Sequence, residues 1–450
     1  MHVAVAGATG FVGRAVVARL ANEGHEVVAI SRSVAEHDVP PAVTARSLDL
    51  DDRDGLARAL HGVEAAYYLV HSMATGDAFA ERDRRLAEQF GRVASRAGVT
   101  RIVYLGALGR DPSSAHLSSR QQVGRLLSDS GVPVVELRAA VILGSGSISF
   151  EILRYLAERL PLMVCPRWVR TSIQPLAQCD LLEYLHQSLT VAPGVYELGG
   201  ADVTSYREML RAYARVRNLR QRHIADVPFL SPRLSAYWVD LVTPVDRAVS
   251  HALVESLVSE VVVTKPGPTR EMFDVEPLGL EPALARALDE QRRDLPARLF
   301  DLDDGPVDGL YSMQVRQPIP PSERERVGEE LAGAGGDLGW YGAPRLWRLR
   351  LWLGRLWGEQ SALMRPASLL PGSEVDWWTV ARTSGDELVL ETASWKVGEA
   401  WLGYRIDHST HELQTAGALR PKGTLGFLYW KLLEPIHRRV FVTMARRRTG

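Results

Sequence analysis

Two short stretches of this 450-residue chain hold residues whose types and spacing suit chemistry. In GATGFVG, Gly7, Gly10 and Gly13 lie between an apolar run, HVAVAG, and a helical pattern, FVGRAVVARLANEG. At such a strand-to-helix turn the first glycine makes the tight turn and the second lets backbone approach a pyrophosphate. The third lets helix and strand pack closely, and the helix N-terminus adds free N–H donors with a partial positive charge. The ligand this spacing suits is a dinucleotide, and a purely structural glycine turn is the plainer alternative. The second run ends VVAISRS, with Arg32 between Ser31 and Ser33 where an acidic residue would bond a ribose 2′-hydroxyl. A guanidinium there can grip a 2′-phosphate through its planar fork. NADP(H) is therefore the preferred cofactor, with NAD(H) and a merely solvated arginine left open. Farther on, in SLDLDD, Asp49 and Leu50 follow a third strand, where the carboxylate can reach an adenine amino group or cap the helix DRDGLARAL.

The second stretch is SAHLSSRQQVG, with His116 and Arg120 four residues apart and so on one face of a helix. An imidazole with an ordinary pKa of about 6.5 can pass a proton at neutral pH, and a permanently charged arginine can hold a ribose hydroxyl or a phosphate. The same arginine lowers the imidazolium pKa and thins the acid form. A helix-capping histidine beside a cofactor-contacting arginine fits the spacing equally. Further along, Glu151, Arg154, Trp168, Arg170 and Gln174 form a polar and aromatic series suited to substrate contact, although Glu151 and Arg154 can instead pair at i,i+3 and steady a helix.

These residues need a scaffold. Runs rich in Val, Ile and Ala, without polar alternation, read as strands buried on both faces, and the helical patterns between them as right-handed crossovers. The expected fold is α/β: a doubly wound parallel sheet over the first part of residues 1–299, with a less regular, Pro-punctuated lobe at about 145–295 on the substrate side. An acidic Gly/Pro stretch, 300–309, reads as a linker. Residues 310–450 then read as an α+β domain: a strand near 310–319, helices near 322–332 and 344–358, four antiparallel strands, and a terminal helix kinked or broken at Pro435. Nine of the eleven Trp fall between Trp340 and Trp430, and ordinary core packing is the plainer account of them.

The near-balance of 53 Lys and Arg against 54 Asp and Glu gives no long-range field for nucleic acid. The basic end, Arg446–Arg448, reads as a solvated tail, with a transient contact with an anionic membrane as the lesser alternative. Without a basic leader or a long apolar run, the chain reads as cytoplasmic and without a transmembrane segment. Cys165 and Cys179 are the only cysteines; they suggest buried thiols and no metal centre.

Together, GATGFVG, AAYYLVHSM, RIVYLGALG, HLSSRQQVG, SYREML and the long phrase LRAAVILGSGSISFEILRYLAERLPLMVCPRWV resemble the extended or atypical short-chain dehydrogenase/reductases. The likeness is narrowest to bacterial NmrA-like NAD(P)-binding proteins that carry a C-terminal domain of uncharacterised function. It spans essentially the whole chain and implies a Rossmann fold with a bound nucleotide. It places cofactor contacts on Thr9, Gly10, Phe11 and Val12, on Leu69, Val70 and His71 after the fourth strand, and on Arg138, Ala139, Ala140 and Val141 at the end of the sixth, with Gly144 opening the next loop. The superfamily's Ser-Tyr-Lys triad departs: the Ser region reads Gly106-Ala107, the Tyr position His116 and the Lys position Arg120. The C-terminal part resembles the helix-grip arrangement of lipid- and polyketide-binding proteins.

The leading expectation is an atypical NADP(H)-dependent oxidoreductase acting on a hydrophobic small molecule, with His116 as proton donor and Arg120 as anchor. A redox sensor or assembly factor that binds NADP(H) without turnover and works through a protein partner is the first rival. A sugar-nucleotide epimerase is the second, and the missing Tyr weighs most against it.

Overall fold

Valine, isoleucine and alanine fill both faces of the strands that open the chain, and this burial decides the architecture. The computed structural model describes every residue except 36–38, 71–76, 110–114, 228–241, 245–258, 337–351, 353–364, 395 and 450; at 77–79, 115–116, 167–168, 226, 307, 393–394 and 447–449 it describes the backbone alone. Two units separate: 1–156, 162–216 and 221–288 make the first, and 157–161, 217–220 and 289–450 the second.

In the first unit the chain runs β1 (His2–Ala6), α1 (Phe11–Asn22), β2 (Glu26–Ser31), β3 (Val43–Ser47), α2 (Arg53–Ala59), β4 (Ala65–Tyr68), α3 (Asp77–Ala97), β5 (Arg101–Ala107), α4 (Ala115–Ser128) and β6 (Val134–Ala139). It continues through β7 (Ile142–Leu143), α5 (Ile148–Arg159), β8 (Leu162–Pro166), β9 (Ser172–Ile173), β10 (Leu176–Ala177), α6 (Gln178–Gln187), β11 (Gly194–Leu198), β12 (Thr204–Ser205), α7 (Tyr206–Val216), β13 (His223–Val227), α8 (Pro266–Met272) and α9 (Leu280–Arg298), the ends of α5 from Ala157 and of α9 from Asp289 belonging to the second unit. Seven parallel strands form one sheet in the order β3-β2-β1-β4-β5-β6-β11. Alternate residues of each strand supply opposite cores. Val3, Val5, Val27 and Leu137 pack with Val16 and Leu20 of α1 and Leu181 and Leu185 of α6. Ala4, Ala6, Ile30, Ala66 and Tyr104 pack on the other face with Leu86 and Phe90 of α3 and Val123 of α4. The sequence order reverses between β1 and β4, and loops at the carboxyl ends of strands there are where a doubly wound sheet takes its ligand.

The stretch 178–198, read from sequence as part of an irregular lobe, returns to this sheet as α6 and the outer strand β11. The rest of the lobe builds two-stranded pairs, β7 with β10, β8 with β13 and β9 with β12. The Pro-rich phrases around 228–241 and the later part of LVTPV lie outside the described residues, as does the expected helix near 344–358.

The second unit adds β14 (Gly305–Val307), β15 (Leu310–Pro318), α10 (Arg324–Ala332), β16 (Glu374–Val375), β17 (Trp378–Thr383), β18 (Glu387–Ser394), β19 (Gly398–Asp407), β20 (Glu412–Pro421) and α11 (Gly423–Thr449). Its antiparallel sheet runs β14-β15-β20-β19-β18-β17-β16. The acidic stretch read as a linker carries β14, paired to β15 through Gly305 and Ser312. On one face of this sheet Leu402, Tyr404 and Leu413 meet Val440 and Met444 of α11. On the other, Trp401, Ala416 and Ala418 meet Leu295, Leu299 and Phe300. Trp378, Trp401 and Trp430 are buried, so these three tryptophans serve the core. The helix runs on through Pro435 without a break.

Candidate functional site

Gly7 opens the turn after β1 with φ of +89°, and its N–H and that of Ala8 donate to Ile30 O at 2.9 and 3.1 Å. A Cβ at Gly7 would lie 2.9 Å from the backbone C and O of Leu69, and one at Gly13 only 2.1 Å from Gly7 O. The turn therefore closes on itself through glycine alone, with Thr9 and Gly10 exposed at its lip and Phe11 and Val12 half-buried behind them. Gly10 caps α1 without a side-chain hydrogen bond, and no acid stands in the first turn. An uncapped, positively polarised helix end beside bare backbone fits a pyrophosphate.

At the end of β2, Ser31 Oγ lies 2.7 Å from Thr9 Oγ1 and so joins the second strand to this lip. Arg32 and Ser33 are exposed, and the Arg32 guanidinium has no ion-pair partner among the described residues; its carbonyl accepts from Ser47 Oγ at 3.0 Å. Asp49 pairs with Arg82 of α3 at 3.1 Å. The cap of α2 is Asp52, which accepts from Gly55 N–H at 3.0 Å, so the capping alternative for Asp49 is displaced by three residues. The Leu50 side chain is buried in the core and its carbonyl accepts from Gln89 Nε2 at 2.6 Å.

Leu69 continues β4 by donating to Ala6 O at 2.9 Å, and it and Val70 pack on opposite faces of the sheet. His71 lies outside the described residues. At the end of β6, Ala139 O accepts from Leu108 N–H at 2.9 Å, Ala140 and Val141 are half-buried, and Arg138 Nε donates to Glu136 Oε1 at 2.7 Å. A Cβ at Gly144 would lie 2.9 Å from the Phe11 ring, so this loop and the glycine turn meet.

His116 is the second residue of α4, with its side chain outside what the structure describes. One turn on, Arg120 donates to Leu105 O and lies 5.5 Å over the Tyr104 ring, while the Tyr104 hydroxyl donates to Arg120 O at 2.8 Å. Burial pushes the Tyr104 phenol up to about 12. Arg120 thus ties α4 to the end of β5, where Gly106 and Ala107 offer no hydroxyl. Sequence reasoning passed over Tyr104 and the buried carboxylate Glu136; an acid inside the apolar phrase VVELRAA was the available signal for the latter.

Of the residues the sequence offers for substrate contact, Glu151 and Arg154 are both buried and paired along α5, with Arg154 also 5.6 Å from the Phe150 ring centre. Burial lowers the Arg154 pKa, and the Glu151 charge outweighs it for a net rise. The helix-steadying alternative is what this pair displays. Gln174 donates to Gly200 O at 2.7 Å and accepts from Val263 N–H at 3.1 Å, which engages both ends of its amide with backbone. Arg170 is exposed, and the Trp168 side chain lies outside the described atoms. Cys165 and Cys179 form no disulfide and are half-buried, less enclosed than expected, and burial pushes the Cys165 thiol up to about 11.

Residues 7–154 match a family model described as NAD(P)H-binding, and residues 310–444 match one described as a protein of unknown function, DUF2867. No curated protein matches the sequence. Among solved structures the chain is similar to a nucleoside-diphosphate-sugar epimerase from Staphylococcus aureus, at 17% identity and TM-score 0.51, covering 63% of this chain and 100% of the other. It is also similar to the Bordetella bronchiseptica enzyme WbmH in complex with NAD+, at 16% and 0.50, covering 65% and 98%. A short-chain dehydrogenase/reductase superfamily protein from Agrobacterium tumefaciens with bound NAD matches at 17% and 0.50, covering 66% and 99%. At these identities the likeness is one of fold. No described helix is long and apolar enough to cross a membrane. Residues 7–154 are thus similar to NAD(P)H-binding domains, on a Rossmann-like parallel sheet shared with these solved structures, and residues 310–444 are similar to the DUF2867 family.

Proposed function

We propose that the protein is an NADP(H)-dependent oxidoreductase of the short-chain dehydrogenase/reductase type acting on a small molecule. The observation that carries the cofactor choice is Arg32: an exposed guanidinium free of ion pairs among the described residues, on the residue that follows β2 and next in sequence to Ser31, whose hydroxyl meets that of Thr9. When bound, the nicotinamide supplies or accepts a hydride. The chain's own residues do the rest. The backbone at Gly7, Gly10 and Gly13 and the α1 N-terminus hold the pyrophosphate, Arg32 grips the 2′-phosphate, and Asp49, shared with Arg82, reaches toward adenine. Leu69 and Val70 pass beneath the nicotinamide ribose, and Arg138–Val141 border the nicotinamide. His116 passes a proton, and Arg120, bound to β5, fixes the helix that carries it.

Arg32→Asp is expected to weaken NADPH binding about 30-fold, in line with the roughly 2 kcal/mol of a charge-assisted contact, while NADH binding holds or improves. Calorimetric titration of both nucleotides checks this, and equal losses for the two would sink the 2′-phosphate role. For the reaction, the protein is incubated with NADPH deuterated at both C4 positions and a cellular metabolite extract. Label in a metabolite identifies the substrate class, and His116→Ala should reduce that transfer about 100-fold with NADPH affinity kept.

One observation favours a second reading, a sensor or assembly factor that binds NADP(H) without turnover. Arg120 spends its guanidinium on the Leu105 carbonyl, and positions 106 and 107 lack a hydroxyl. NADPH binding with no deuterium transfer to any metabolite would select it.

A further inference from the structure

The terminal helix α11 is anchored on one side by Trp430, Val440 and Met444, which are buried in the cores of the second unit. Its opposite side is apolar as well. Leu425, Leu428, Leu432 and Ile436 are 58, 47, 74 and 43% exposed, and their i, i+3, i+7, i+11 spacing puts them in one stripe. Four large aliphatic side chains in a line on solvent mark an interaction surface. Farther along the same face stand exposed Arg439 and Arg446, with Lys431 and Arg438 at its flank. Over residues 423–449 the sequence holds six Lys and Arg against the single acid Glu434, in a chain of net charge −1. Glu434 lies 3.7 Å from Lys431, and Asp304 pairs with Arg438 at 3.1 Å.

The geometry points to the outward face of α11 as a docking surface for an anionic lipid bilayer, lying in the interface with its leucines among the acyl chains and its cations on the headgroups. Charge selects this partner over a second copy of the chain. Two such faces packed together would set arginines against arginines when parallel and against the other copy's leucines when antiparallel, whereas an anionic bilayer complements both the leucines and the arginines. A helix that lies in the plane of the interface also needs no membrane-spanning length.

The test is co-sedimentation of the full chain with phosphatidylcholine vesicles with and without phosphatidylserine. The expected result is binding that requires phosphatidylserine and weakens as salt is raised. Leu428→Glu with Leu432→Glu should lower the partition coefficient more than about tenfold, since buried aliphatic area drives the insertion. Arg439→Glu with Arg446→Glu should remove the phosphatidylserine preference. All four positions are exposed, so unchanged thermal unfolding is expected of both variants. No binding to phosphatidylserine vesicles, binding unaffected by either variant, or self-association in sedimentation equilibrium that the leucine variant abolishes without any vesicle binding would each overturn the proposal.

Discussion

Gly13→Ala is expected to abolish NADPH binding and to lower the unfolding temperature of the first unit, while Gly10→Ala should abolish binding and leave that temperature almost unchanged. The difference follows from what each new methyl group meets. At Gly13 it would sit 2.1 Å from Gly7 O and 3.0 Å from Ala8 Cα. Both are backbone atoms of a turn pinned to Ile30 O by two hydrogen bonds, so α1 must move off β1. Overpacking of this kind costs about 3 kcal/mol. At Gly10 the nearest atom is Gly7 O at 3.3 Å, on an exposed face; a small adjustment absorbs it, and the fold is kept. That methyl group nevertheless fills the space through which a pyrophosphate would reach the α1 N-terminus, and an affinity loss of more than about 100-fold is expected because the backbone contacts and the helix-end charge act only at close range. Fluorescence titration with NADPH and thermal unfolding of both variants decide the matter. A Gly10→Ala protein that binds NADPH as tightly as the parent would show the turn to be structural only.

This contrast shows what could and could not be read from the amino-acid order. The glycine turn and the strands around it are local: tight turns, buried Val/Ile runs and helix starts depend on neighbours within a few residues, and β1, β2 and β4 to β6 stand where the apolar runs predict them. The return of β11 to the outer edge of the sheet rests on pairing between Val195 and Glu136, a contact some sixty positions apart that no local pattern encodes. Side-chain partnerships were harder still. Asp49 has two other acids for company in SLDLDD, and only the position of α3 decides that Arg82 takes Asp49, that Arg85 takes Asp51 and that Asp52 is left to cap α2. Arg120 faces the same difficulty. Its spacing from His116 is correct for a shared helix face, yet its guanidinium finds the Leu105 carbonyl because β5 passes beneath it. Gln174 is drawn to the backbone at positions 200 and 263 in the same way.

Replacing Glu399 by Ala is expected to destabilise the second unit by about 3–5 kcal/mol, the usual result of removing one member of a buried ion network. Glu399 lies on β19 between two arginines that are less than a tenth exposed: Arg217, 3.0 Å away, and Arg420 on β20. Arg217 also reaches Glu158 at 2.9 Å. Without Glu399 the two guanidinium groups lose the carboxylate they share and repel each other in a poorly hydrated setting. The pH dependence separates this account from simple loss of packing. Burial raises the Glu399 pKa, but the charges of Arg420 and Arg217 outweigh it and hold the carboxyl below its ordinary 4.5. A folded-state pKa below the unfolded one gives stability that is present above the ordinary value and is lost as pH falls through the lower one. Because nine of the eleven Trp fall between 340 and 430, tryptophan fluorescence follows unfolding of this part of the chain. Its transition in the parent protein should move to lower temperature as the solution is taken below about pH 4.5, through the range where the native carboxylate takes up its proton. In Glu399→Gln, which keeps the shape and part of the hydrogen bonding, the transition should start lower and respond less to the same acidification. Parallel acid profiles for the parent and Glu399→Gln would mean that the carboxylate contributes through its volume and not its charge, and the ion network would lose its place in the stability of this unit.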